Sequence, residues 1–226
     1  MSTHTLDTAA PTRVGRSTGS RAWAWTGVAA GVLGIASIQA SLAASVDWEL
    51  TQGDAGAMLA DAAAKQSTFF AFHVLTALTA VVLPVFAAGL KRRLDQQAPA
   101  GSLYGQVAAW GLVLVSAALL LGSGLDTQFM LALSDPDTLV PESAAFYTDW
   151  VATIPWLWLG AGLSGVAVAV ASLRHAAAPR WIGAVSLVLG GLTLLLGISP
   201  LQYMAGFTGP VWLLVVALGF ALGDRR

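Results

Sequence analysis

Apolar residues in this chain come in long uninterrupted runs rather than in stripes. From Trp23 to Val46, Thr68 to Leu90, Leu103 to Leu125, Trp150 to Leu173, Trp181 to Ile198 and Leu201 to Leu222, Asp, Glu, Lys and Arg are absent. A run of about 18 or more such residues covers a ~30 Å hydrocarbon core at ~1.5 Å per residue. The runs therefore predict six transmembrane helices. A membrane barrel would show alternating segments of ~10 residues, and the pattern here does not alternate. The expected fold is an all-α, polytopic transmembrane helix bundle.

The sixth run is the least regular. Counted from Pro210 it has thirteen residues, about 20 Å of helix, which is too short to cross. Either the helix starts near Leu201 or the stretch SPLQYMAGFTGP is partly unwound. Between the first two runs, DAGAMLADAAAKQ carries Asp54 as a helix N-cap and an Asp61–Lys65 pair at i,i+4. It predicts a short helix lying at the membrane surface. Between the third and fourth runs, SDPDTLVPES reads as a turn, and Pro141 followed by Glu142 suits a helix start ahead of the membrane. The first, third and fifth runs open with WTG, WG and WIG. Duplication of a helical hairpin explains this, and so does convergence of interfacial Trp with packing Gly.

Composition agrees with the pattern. Of 226 residues, 56% are hydrophobic and 10% charged, against about a quarter charged in soluble domains. The absence of cysteine excludes disulfides, thiolate nucleophiles and thiolate metal sites. Residues 1–22 are polar and rich in Ser, Thr and Arg, as expected of a disordered tail. A cleaved signal peptide is the rival, because ASLAAS resembles a cleavage site. The run before it, however, exceeds a signal core of ~7–15 residues.

Charge adds an orientation. The tail, Lys91–Arg93, Arg174–Arg180 and Arg225–Arg226 hold ten of the eleven Lys and Arg residues. The loops 47–67 and 126–149 hold nine of the twelve acids and only Lys65. By the positive-inside rule both termini are expected in the cytoplasm. Trp23, Trp25, Tyr104 and Trp181 then mark the inner interface, and Trp48, Tyr147, Trp150 and Tyr203 the outer one.

Helices in lipid associate through small residues that allow close approach. Gly27, Gly31, Gly34, Ile38, Ser41 and Ser45 share one line of the first helix at 100° per residue. Gly160 with Ser164, and Ser186, Gly190, Thr193 and Gly197, form similar stripes. These faces predict helix contacts within the chain or a homo-oligomer.

The candidate chemistry is sparse. His73 sits near the start of the second run, and Pro84 farther along removes the helix bond to the Ala80 carbonyl. At the same depth lie Ser123, Asp126 and Gln128, then Asp149, Thr153 and Trp156 on one face at i, i+4 and i+7, then Gln202 and Tyr203. Intramembrane ionisable groups are functional candidates by default, so these residues predict an outward-facing polar cavity centred on His73, Asp126 and Asp149. The plainer reading is a neutral histidine bonded to a neighbouring helix, with Asp149 capping a helix start. Gln39 lies 100–120° from the glycine line, so it is a weaker member.

Other chemistries lack their residues. His4 and His175 cannot reach His73, so bis-His haem ligation is excluded. There is no HExxH, one histidine with acids is a poor zinc set, and no nucleophile elbow surrounds Ser67 or Ser123. No cofactor and no nucleic-acid partner is expected.

The stretches APRWIGAVSLVLGGLTLLLG and FTGPVWLLVVALGFALG resemble small six-span membrane proteins of high-GC actinobacteria that are uncharacterised. That resemblance implies a bacterial inner membrane and no particular activity. The first functional expectation is binding or transport of a small solute or proton. The second is a non-catalytic membrane subunit or lipid-interacting structural protein. An intramembrane enzyme ranks third.

Overall fold

The computed structural model describes residues 21–223, with the side chains of Asp149 and Trp150 excluded. The expected tail and the terminal arginines lie outside the described residues, apart from Arg21 and Ala22. Among the described residues, six helices are long and apolar enough to cross a membrane: Ala22–Thr51, Gln66–Gln97, Tyr104–Ala132, Ile154–His175, Arg180–Ile198 and Gln202–Gly223. The protein is an all-α bundle of membrane-spanning helices.

The regular elements are α1 (Ala22–Ala44), α2 (Trp48–Thr51), α3 (Ala55–Ala64), α4 (Gln66–Gln97), α5 (Tyr104–Ala132), α6 (Glu142–Phe146), α7 (Leu159–His175), α8 (Arg180–Val185), α9 (Gly191–Ile198) and α10 (Ala205–Leu218). Helix α1 packs on α4, α4 on α5, α5 on α7, and α7 and α1 both meet α10, which closes a five-membered ring. The α8–α9 hairpin arm lies outside it, against α7 and α10.

Small residues set the crossings. A Cβ on Gly31 would stand 2.8 Å from the backbone of Leu214 in α10. Gly34 faces the Trp158 ring and Pro210, and Gly27 faces Phe86 and Ala217. On the other side, Gly111 and Gly160 approach so closely that the Ser164 hydroxyl donates to the Ala108 carbonyl across the crossing at 2.7 Å. The glycine line of α1 is thus filled by the chain's own helices, with Ser45 its one exposed member.

Backbone groups freed inside the membrane must find partners within the protein. Pro84 has no N–H for the Ala80 carbonyl, and Ser116 of α5 supplies the missing donor at 2.6 Å. Ser37 and Thr76 share a hydrogen bond of 2.6 Å between α1 and α4. In the fifth span, a π-helical turn at Ser186–Gly190 brings the Ser186 hydroxyl to the Trp212 indole N–H at 3.1 Å.

The acidic loops build a cap. Asp54 accepts from the Ala57 N–H at 2.8 Å and starts α3, which the Asp61–Lys65 pair closes at 2.8 Å. Lys65 also donates to the Ser45 carbonyl at the end of α1. Met58, Leu59 and Ala62 of α3 pack with Phe69, Phe129, Ala144 and Tyr147 into a second apolar core.

The fourth run and Tyr147 differ from the sequence expectation. The fourth run is not one helix from Trp150: α6 leads into a π-helical turn at Tyr147–Val151, then a 3₁₀ turn at Ile154–Trp156, and regular helix resumes only at Leu159. Pro155, which lacks an N–H for the helix ladder, sits in the 3₁₀ turn, and the backbone leaves the helical region at Leu157 with ψ 77°. Tyr147, expected at the interface, is buried. It stacks on Phe129 with ring centroids 4.1 Å apart, and both rings meet Phe69 edge-on. The sixth span begins with a 3₁₀ turn at Gln202–Met204 before α10.

Candidate functional site

Two features stand at the acidic end of the bundle, and they are separate. The first is a hydrogen-bonded His–Asp pair. His73 lies two turns into α4 and Asp126 two turns before the end of α5. Since α4 and α5 pack along much of their length, residues at equal depth on facing sides meet. His73 Nδ1 and Asp126 Oδ1 share a hydrogen bond of 2.6 Å. The Asp126 side chain is 2% exposed and that of His73 22%.

The sequence places an aromatic ring one turn outward of each partner: Phe69 is i−4 from His73 and Phe129 is i+3 from Asp126. With Tyr147 these rings roof the pair. Burial, and secondarily the charge of Asp126, push the Tyr147 phenol above its ordinary range, so the roof stays neutral.

The second feature is a cavity of about 330 Å³. Its walls come from four places in the chain. The end of α1 gives Ser41, Leu42, Ala44 and Ser45, and the start of α4 gives Phe69 and Phe72. The broken fourth span gives Thr148, Ala152, Thr153 and Trp156, and the entry to α10 gives Tyr203, Met204 and Phe207. Because the chain turns away from helix between Thr153 and Trp158, α7 does not extend into this space. Trp156 fixes its floor: the indole N–H donates to Ser41 Oγ at 3.0 Å, and the ring sits edge-on to Phe207 at 4.8 Å. Among the described residues, the lining holds hydroxyls and aromatic rings and no ionisable acid or base apart from the Tyr203 phenol.

The sequence candidates therefore divide. His73 and Asp126 come together in the pair, under the roof and off the cavity wall. Thr153 and Tyr203 line the cavity. Gln202 is half-buried one residue away and does not line it. Gln128 is exposed, because two residues along α5 turn it 200° from Asp126. The Asp149 side chain lies outside the described residues. Sequence reasoning reached Trp156 with Thr153 and read Ser41 only as a packing residue; it missed Phe69, Phe72 and Phe207. The rings looked like ordinary span residues, although Phe69 and Phe72 sit within a turn of His73.

Among the described residues, no three His, Asp or Glu side chains converge as metal ligands would. The described lining residues suit a group held by apolar contact and a few hydroxyl hydrogen bonds. The chain matches no protein-family model, and comparison with curated proteins and with solved structures yields no match.

Proposed function

We propose that this integral membrane protein binds a small, uncharged, largely apolar solute in the cavity at its acidic end. On the positive-inside orientation that end faces out of the cytoplasm. The single observation that carries the reading is the lining: aromatic rings and hydroxyls around about 330 Å³, with no charged side chain among the described lining residues. That volume falls at the lower end of the ~300–1,000 Å³ typical of ligand pockets.

Packing favours binding over passage. Below the cavity Leu83, Phe86, Trp158 and Trp212 are fully buried and belong to one continuous core. The His73–Asp126 pair is read as a clip between α4 and α5 that sets the cavity's α4 wall. Phe69 and Phe72, the neighbours of His73 on α4, are that wall.

The test is saturable binding of a radiolabelled uncharged aryl alcohol to the full chain in lipid nanodiscs, with Ala152→Trp as the matched control. Wild type should show a saturable component that the filled variant lacks. An ammonium or carboxylate analogue of the same skeleton should show none. Equal uptake by both proteins, or tighter binding of a charged analogue, would overturn the reading.

A further inference from the structure

The cavity has an open side, and the residues along it identify what enters. Leu42 of α1 and Met204 and Phe207 at the entry to α10 are exposed, and all three line the space. Deeper in the bundle α1 and α10 touch closely through Gly31 and Leu214 and through Gly34 and Pro210. At their acidic ends Trp156 stands between them, bonded to Ser41 of α1 and edge-on to Phe207 of α10. The mouth is therefore a seam between two spans.

The surface flanking that seam is the surface that lipid covers. Leu42 and Phe207 lie within transmembrane segments, and Trp48 and Tyr203 at the rim are exposed rings of the kind that settle at headgroup level. The medium at the mouth is thus the hydrocarbon of one leaflet, a few ångströms below its headgroups. Unbranched methylene chains are the molecules present there at the highest concentration. The back wall of Phe69, Phe72, Ala44 and Val46 is apolar and buried. Its space holds roughly ten groups at ~30 Å³ each, close to a segment of acyl chain.

We infer that the cavity takes an acyl chain of a bilayer lipid, drawn sideways from the outer leaflet through the seam between α1 and α10. This rests on the binding reading above and names its ligand class. The hydroxyls of Ser41, Ser45, Thr148 and Thr153 do not oppose it. Ser41 already accepts from Trp156, Ser45 donates to the Leu42 carbonyl and Thr148 to the carbonyls of Ala144 and Ala145, so these do not need the occupant as a partner.

The test uses the full chain reconstituted in vesicles of phosphatidylethanolamine and phosphatidylglycerol, doped with a phosphatidylglycerol that carries a mid-chain diazirine. After irradiation, labelled residues are mapped by peptide mass spectrometry. Labelling of the buried wall residues Phe72 and Trp156 is expected, because lipid that only coats the protein reaches exposed positions such as Leu114 and Leu120. Filling the space with Ala152→Trp, or narrowing its rim with Ser45→Trp, should cut Phe72 and Trp156 labelling about tenfold or more while leaving Leu114 labelling unchanged. Two variants are used so that misfolding of one does not decide the result. Labels confined to exposed residues, with the same pattern in all proteins, would overturn the inference. If the uncharged aryl alcohol still binds in that case, the cavity reading stands and its ligand is a free solute. If both fail, the cavity is not a binding site.

Discussion

Removing His73 should expose how strongly α4 and α5 depend on their His–Asp pair. In His73→Ala, Asp126 keeps its position with a 2% exposed side chain and loses its hydrogen-bond partner at 2.6 Å. Breaking a buried pair from one side costs about 3–5 kcal/mol. Coupling energies inside membranes are smaller, with an average near 0.6 and a maximum near 1.7 kcal/mol. The pair is short and its aspartate is buried. It therefore belongs near the top of that range. The prediction is a loss of about 3 kcal/mol for His73→Ala, a loss of similar size for Asp126→Ala, and a double mutant less damaged than the sum by about 1–2 kcal/mol. The double apolar replacement His73→Phe with Asp126→Leu should recover most of the stability. The assay is reversible denaturant unfolding in detergent micelles, followed by near-UV circular dichroism. Additivity to within about 0.3–0.5 kcal/mol would refute the clip and return His73 to the rank of a packing residue.

Three further outcomes follow from the same geometry. Gly31→Leu places a side chain against the Leu214 backbone and should destabilise the bundle by at least ~1–3 kcal/mol, whereas Ala29→Leu, on an exposed face, should be near neutral in the same unfolding assay. Ser116→Ala should cost about 1 kcal/mol by orphaning the Ala80 carbonyl, and the cost should vanish in a Pro84→Ala background, where a backbone N–H returns; an unchanged cost there would count against that account. Since the chain has no cysteine, single cysteines at Ala57 and Gln97 report topology: an impermeant maleimide applied to intact cells should label the first only, and the reverse pattern would invert the orientation.

The spans were legible because a membrane demands long runs that a sequence cannot disguise. Local chemistry was legible where one residue acts on its near neighbours, as with Asp54 capping α3, Lys65 reaching Asp61, and Pro84 freeing a carbonyl that some hydroxyl had to meet. The small-residue line of α1 was legible as a contact face, though nothing in it says that α10 is the partner. Long-range geometry was not legible. Asp126 and Asp149 sat at similar depth, and only the packing of α4 on α5 brings one of them to His73. Gln128 could have been set aside from its 200° offset alone. The broken fourth span was harder, because an apolar run reads the same whether or not Pro155 interrupts it. The cavity exists only because of that interruption, so its lining residues looked like ordinary membrane-facing side chains.

The binding cavity is the central claim, and a heavy-atom label tests it most directly. A crystal grown with an uncharged bromoaryl alcohol, measured at the bromine absorption edge, should give an anomalous peak enclosed by Phe72, Trp156 and Phe207, and none beside His73 and Asp126. A map with no peak in that space, with Trp156 and Phe72 closed together across it, would contradict the account.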